Sequence, residues 1–359
     1  MATLADHDLA SLRADLAAAG HKPVHALAVL RHFYESAGRP RLGTIEISKG
    51  VVRHIDGQLA PRASRVAARS VAGDGTTKLL IALDAGGSVE TVMMPGLRDG
   101  VSAGCVSSQI GCAMGCDFCA SALNGFERNL SAGEIVEQFL HLKELAGSMG
   151  RKLKTLVFMG MGEPMLNFDA VVAAIRRIAD PDLGGLGWRQ ITVSTVGVVP
   201  GIDRLADADL NVHLAVSLHA PDDATRSKLV PMNRRFNVAD ILAAARRFLD
   251  RTHRVPTIEY CLLAGVNDSD EQALLLAQLM RGFRAHVNLI PYNPIGAGLS
   301  GRSYARPSDE RMNAFINLLR DNGVVTHFRL PRGDDVNAAC GQLRNAAHGA
   351  TAVEEQRAN

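Results

Sequence analysis

Aromatic residues are scarce in this chain, at 4% of the sequence with Trp188 as the lone tryptophan. That excludes an extended stacking platform for single-stranded nucleic acid, which needs successive exposed rings. Excess charge of one sign is also lacking: 39 Lys and Arg stand against 37 Asp and Glu, a formal net charge of +2. Bulk electrostatics therefore announce no polyanionic partner, and any such affinity has to come from local patches. No apolar run opens the chain, since Met1–Ala10 carries Asp6, His7 and Asp8, which argues against a secretory signal or membrane anchor and predicts a cytoplasmic protein. Internal repeats and low-complexity blocks are absent. Six cysteines in a chain of 359 residues do not suggest a structural disulfide set, because cytosolic thiols are kept reduced. Metal binding or catalysis is the better reading.

What is present is an ordinary globular composition, 47% apolar and 21% charged. Residues 1–43 read as a small helical accessory domain, with helices over 4–19 and 24–35 separated by Gly20 and Pro23. Residues 44–100 read as a β-rich connecting region, with Lys78–Leu83 and Val89–Val92 around Gly86-Gly87 forming a hairpin. From 101 to 345 short apolar runs alternate with helical periods, the signature of βα units around a parallel sheet. Six strands are expected, near 102–107, 154–159, 190–194, 211–217, 256–262 and 286–290. The clearest helix starts at Ser131, where Glu134 completes a capping box; others are expected near 169–178, 238–250, 269–281 and 308–321. The fold class is α/β, an incomplete (β/α)6, TIM-like barrel, and the Ala-, Glu- and Gln-rich tail 346–359 is expected to fray.

Unusual polar residues follow these strands, and in barrel proteins the carboxyl ends of the strands form the active face. Cys112, Cys116 and Cys119 have the spacing CxxxCxxC. Three thiolates leave one iron of a four-iron cluster free, and the amino and carboxylate groups of S-adenosylmethionine can take that corner. A structural zinc site and simple buried thiols are the alternatives; zinc usually wants four ligands in paired spacing, and no second pair follows at finger spacing. Gly160-Met161-Gly162-Glu163-Pro164 would let backbone approach a cofactor ammonium, with Glu163 adding charge complementarity, or is a plain strand-to-helix turn. Cys340, between Ala339 and Gly341, reads as a mobile, reachable thiol, whereas Cys261 reads as core.

These residues, with Val106–Cys112, Ser217-Leu218-His219-Ala220-Pro221 and Arg332–Leu343, resemble the RlmN and Cfr family of radical S-adenosylmethionine adenine methyltransferases over about residues 76–345. The resemblance implies a radical SAM barrel holding one [4Fe-4S] cluster on Cys112, Cys116 and Cys119. S-adenosylmethionine would lie against Gly162, Glu163, Ser194, Ser217, Leu218, His219 and Asn293. It further implies that Cys340 carries a methyl group to the base, that Cys105 resolves the adduct through a disulfide, and that Glu90 accepts the proton lost from the base carbon. The implied substrate is an adenosine of 23S ribosomal RNA, methylated at carbon 2, with tRNA as a second candidate. The implied partners are RNA and a reductase or flavodoxin-type electron donor, with no membrane, for a monomeric protein. Carbon 8, another radical SAM substrate, and a zinc or redox RNA-binding protein are the competing readings. The chain has Ser194-Thr195-Val196-Gly197 where the family usually shows Ser-Thr-Ser-Gly, and its first 75 residues match poorly. Arg226 with Lys228, Arg234 with Arg235, Arg246 with Arg247, and Arg151 with Lys152 and Lys154 are the local basic clusters, read either as phosphate contacts or as solvated faces.

Overall fold

The computed structural model describes residues 2–329 and 331–343. The tail expected to fray, and Arg344 and Asn345 at the end of the expected barrel, lie outside the described residues.

Helices α1 (Leu9–Ala18), α2 (His25–Glu35) and α3 (Lys49–Gln58) open the chain. Asp8 accepts a hydrogen bond from the Ser11 N–H at 2.8 Å, which starts α1 later than the apolar pattern predicts. Helix α3 corrects the β-rich reading of 44–100. Ser48 caps it, and Val51 and Ile55, four residues apart, bury one face; Gly50, Gly57 and the Val51-Val52 pair had disguised that period.

Strands β1 (Ser64–Val71), β2 (Thr77–Leu83) and β3 (Ser88–Pro95) form an antiparallel meander that continues directly into β4 (Val101–Cys105). The expected hairpin is thus an antiparallel extension of the barrel sheet. A two-stranded ribbon, β5 (Gln109–Gly111) with β6 (Phe126–Asn129), carries the cysteine loop between its strands. Then come α4 (Ala132–Ser148), β7 (Lys152–Phe158), α5 (Phe168–Ala179), β8 (Ile191–Thr195), α6 (Val199–Asp207), β9 (His213–Ser217), α7 (Asp223–Leu229), α8 (Val238–Thr252), β10 (Thr257–Leu262), α9 (Asp270–Met280), β11 (His286–Pro291), α10 (Asp309–Asp321) and β12 (Thr326–Phe328).

The ten-stranded sheet runs β1-β2-β3-β4-β7-β8-β9-β10-β11-β12, parallel from β4 onward. The six expected barrel strands are β4, β7, β8, β9, β10 and β11. Strand β12 is a seventh, three residues long and therefore too short to show as an apolar run. Helices α6 and α7 were not anticipated either; Pro200 and Gly201 make α6 read as a loop. A Cβ at Gly201 would lie 2.4 Å from that of Met165, so glycine is what lets α6 close onto the loop after β7. The capping box on α4 forms as expected, with the Ser131 N–H donating to Glu134 at 2.8 Å and the Glu134 N–H to Ser131 Oγ at 3.1 Å. Its residues Ile135, Val136, Phe139, Leu140 and Leu142 are buried in the main core. Among the described residues no helix is long and apolar enough to cross a membrane.

Candidate active site

The cysteine loop is held from three sides. At Gly111 (φ +70°) an added Cβ would fall 1.8 Å from the Gly125 carbonyl, so the β5–β6 ribbon can close only around glycine. The Cys112 N–H then donates to that same carbonyl at 2.8 Å. The Asp117 carboxylate accepts from the Ser300 N–H (2.7 Å), Ser300 Oγ (2.5 Å) and Tyr304 Oη (2.6 Å), which straps the segment after β11 across the loop. Phe118 stands edge-on to His219 at 4.9 Å between ring centroids.

Burial pushes the Cys112 thiol up to about 12 and raises Cys116 and Cys119 as well, each neighbouring thiolate adding to the effect. Three thiolates this close need a cationic centre to share, and a coordinated thiol is deprotonated outright. The donor set therefore fits an iron–sulfur cluster. All three line one cavity of about 150 Å³, and among the described residues no three His, Cys, Asp or Glu side chains converge on a single metal-ion position.

The opposite wall comes from strand ends. Gly160, Gly162 and Glu163 follow β7, Ser194 lies in the last two residues of β8, Ser217 ends β9 and His219 follows it. Gly162 (φ +98°) sits so close to Gln109 that a Cβ would meet its backbone nitrogen at 2.8 Å. Glu163 accepts from the N–H groups of Met165 (3.0 Å) and Val196 (2.8 Å); burial pushes its carboxyl up to about 7 against the pull of those bonds. Ser194 Oγ and Ser217 Oγ are 3.5 Å apart. His219 (φ +61°) accepts the Cys261 N–H at Nδ1 (3.0 Å), so Nε2 carries the ring proton. Burial, and then the Arg226 guanidinium, depress its pKa to about 3 and keep the ring neutral. Two residues expected at the cofactor are not among those lining this cavity. The Leu218 side chain is wholly buried in the core, and Asn293 lines a second cavity.

That second cavity, about 520 Å³, is bounded by β3, β4 and β7 and by residues within 328–329 and 331–343. Cys105 lines it, and Cys340 lines both cavities. Burial, and then the charge of Cys340, push the Cys105 thiol up to about 12, while Arg329 pulls it down. The expected mobility of the Cys340 segment needs correction, because it is pinned along its length. The Gly73 N–H donates to Asp335 (3.0 Å), Lys78 Nζ to the Asn337 carbonyl (3.1 Å) and Asn293 Nδ2 to the Cys340 carbonyl (3.2 Å). The Ala120 N–H, next to Cys119, donates to the Gly341 carbonyl (2.7 Å), and Ser121 Oγ to that of Leu343 (2.6 Å). Glu90 lines neither cavity; it is buried on β3 and paired with Lys78 Nζ at 3.0 Å. Since Glu90, Val92 and Met94 alternate on one face of β3, its carboxylate points to the side that borders the second cavity.

Several residues escaped the sequence reading. Arg329 lines both cavities, its charge favoured first by Cys340 and also by Glu259 and Cys105. Glu259 and Cys261 line the first cavity, so Cys261 is buried as expected but not merely packing. A lone Glu or Arg near a strand end carries no sequence signal that would have found them. Arg226, grouped with the exposed basic clusters, is completely buried. It donates to the carbonyls of Leu218 (2.8 Å), Val196 (2.5 Å) and Ser217 (3.1 Å) and to Asn233 Oδ1 (2.9 Å), tying the ends of β8 and β9 together. Arg246 and Arg247 are likewise engaged, with the carbonyls of Gly282 and Leu279 and with Asp203.

The Radical SAM superfamily model matches residues 106–277, from the start of the cysteine ribbon to within α9. The probable dual-specificity RNA methyltransferase RlmN 1 of Opitutus terrae is 56% identical over 344 residues, 96% of each chain. The ribosomal RNA large subunit methyltransferase N of Nitrosopumilus maritimus is 47% identical over 282 residues, 77% of this chain and 79% of that one. A crystal structure of a radical SAM methyltransferase from Sphaerobacter thermophilus superposes with a TM-score of 0.90 at 41% identity, covering 96% of this chain and all (100%) of the other. With the three thiols, the glycine-lined strand ends and the distal Cys340 gathered on one rim, the chain belongs to the RlmN family of radical SAM RNA methyltransferases.

Proposed function

We propose that this protein methylates carbon 2 of an adenosine in large-subunit ribosomal RNA, with tRNA as a second substrate, through a methyl group carried on Cys340. The observation that carries the reading is that Cys340 alone among the cysteines lines both cavities, one walled by the three cluster thiols and one by Cys105. Cys112, Cys116 and Cys119 would hold a four-iron cluster, and Gly162, Glu163, Ser194, Ser217 and His219 would receive S-adenosylmethionine. Bound there, the two would supply one-electron cleavage of a carbon–sulfur bond and, with it, the power to abstract a hydrogen atom.

The protein's own groups do the rest. The Cys340 sulfur first takes a methyl group by displacement at the sulfonium, and later presents that carbon, less one hydrogen atom, to the base. Adenine carbon 2 is electron-poor and cannot attack a sulfonium itself, which is why the carbon travels on a thioether. Glu90 takes the proton lost from carbon 2, and the odd electron of the adduct would return to the cluster. Cys105 as thiolate attacks the sulfur of Cys340, so a disulfide forms as the carbon–sulfur bond to the product breaks, the released carbon takes up a proton to complete the methyl group, and an external thiol reductant restores the pair. The Asn293 side-chain amide, donating to the Cys340 carbonyl, and the Ala120 N–H, donating to that of Gly341, hold the Cys340 turn between the two cavities. The enzyme acts as a cytoplasmic monomer supplied with electrons by a flavodoxin-type donor.

Anaerobic turnover on ribosomal RNA with mass mapping tests this. The expected product is 2-methyladenosine, absent with Cys340→Ala. 8-Methyladenosine would move the site of attack, and no methyladenosine of either kind would end the reading.

A further inference from the structure

The second cavity carries an imbalance of charge that the chain as a whole does not. Arg98, Lys154, Arg329 and Arg332 line it, and no Asp or Glu does, in a protein whose formal net charge is only +2. Arg329 has Glu259 as a neighbouring charge on the side of the first cavity. The other three enter no ion pair among the described residues; the Arg332 guanidinium donates to the Pro95 carbonyl, which orients it without neutralising it. Like charges grouped in a concave site, with no counter-charge, repel one another until an anion arrives.

We propose that Arg98, Lys154 and Arg332 are a phosphate clamp for the backbone flanking the target nucleotide, an inference that rests on the RNA substrate proposed above. The cavity supplies two ends for one nucleotide. Cys105 and Cys340 mark one end, and Val101, Arg98 and Lys154 the other. Along β4 the step from Cys105 to Val101 is roughly 13 Å, at about 3.3 Å per residue, comparable with the reach from a base edge to its own phosphates. Between them Val92, Met94 and Phe328 offer apolar wall to a base taken out of its stack. This concave, partly apolar shape suits a single extruded nucleotide and not the convex face of an electron-carrier protein.

The backbone has a way out. Lys154 also lines a third cavity, with Lys143, Arg151 and Lys152, between the end of α2 and the start of β7. Of its two carboxylates, Glu144 is already paired with Arg39 (2.8 Å) and Arg62 (3.0 Å), which leaves the cations of that groove in excess. The clamp thus opens onto a cationic groove at the joint between the helical region and the barrel.

The test is the salt dependence of binding by holoenzyme of a ribosomal RNA stem-loop containing the substrate adenosine. Each lost phosphate contact lowers the slope of log K against log salt by about 0.7 for single-stranded nucleic acid, so the Arg98→Ala/Lys154→Ala double variant should be shallower by about 1.4 and bind on the order of 10-fold more weakly at low salt. Arg98→Lys/Lys154→Arg keeps both charges and should keep the wild-type slope, which separates lost charge from lost folding. An unchanged slope in the alanine variant, an equal loss in the charge-preserving one, or weakened binding of reduced flavodoxin with RNA binding intact would each overturn the clamp. Methylation of the fragment by the unaltered protein is read in parallel, so failure of the RNA assignment is distinguishable from failure of the clamp.

Discussion

The two cavities that meet at Cys340 are built by opposite means. The first is walled by thiols, glycines and hydroxyls at strand ends, and its ionisable groups are buried and bonded: Glu163 to two backbone N–H groups, His219 to a third. The second is larger and keeps its cations unpaired around an apolar wall. A site for one small, fixed cofactor can satisfy its polar groups internally, whereas a site for a polymer segment leaves them for the ligand.

Removing one thiol should break the comparison most severely. Cys119→Ala is expected to lose cluster iron and sulfide, and with them all cleavage of S-adenosylmethionine, while RNA binding by the second cavity persists; metal analysis and a binding isotherm read both. Joint loss would mean that the cavities are not separable. In the second cavity Cys105→Ala should stop turnover after base attachment and accumulate a covalent protein–RNA adduct on denaturing gels. Free product formed at the normal rate would remove Cys105 from the resolving role.

Smaller effects sharpen the contrast. Gly111→Ala forces a Cβ into the Gly125 carbonyl at a left-handed φ and should cost about 3 kcal/mol in unfolding free energy, with looser iron retention. Gly100→Ala, with open space around its Cβ although also at positive φ, should cost less. The smallest effect lies in neither cavity. His141, bonded to Arg62 and Ser64 where the helical region joins α4, has its pKa depressed to about 4 by burial and then by Arg62. The unfolded chain takes up its proton near pH 6.5 and the folded one only near 4, so stability is full above the first value and is lost as pH falls toward the second. At about 1.4 kcal/mol per pH unit between those two values, at most about 3 kcal/mol is at stake. Melting temperature against pH should lose this slope in His141→Asn, with the cavities' ligand affinities unmoved at neutral pH.

The first cavity was largely legible in the sequence because each of its parts is a local pattern. Cys112, Cys116 and Cys119 share a single loop, Gly162 and Glu163 follow an apolar strand, and Ser217 and His219 sit in one short motif. Of the second, the sequence alone offered Cys340 as a reachable thiol, and the roles of Cys105 and Glu90 came through the family resemblance, without their surroundings. Lys78 shows why. It stands in an ordinary strand, and its pairing with Glu90 and with the Asn337 carbonyl exists only because β2 lies beside β3 and the distal segment returns over both. Arg226 shows the converse error, since beside Lys228 it reads as solvated charge and yet lies buried among four acceptors.

By itself, then, the order of residues determined what short-range geometry controls: the spacing of three thiols, the capping of α4, the runs that become barrel strands, and the glycines where the backbone must turn left-handed or pass close. Only the tertiary structure decided that the sulfur at 340 stands between the cavity that holds Cys119 and the one that holds Cys105, that three cations gather without an ion-pair partner, and that the distal segment is tied down. The reason is that side-chain periodicity reports which face of a strand is buried, whereas sheet order and chain return decide what that face meets.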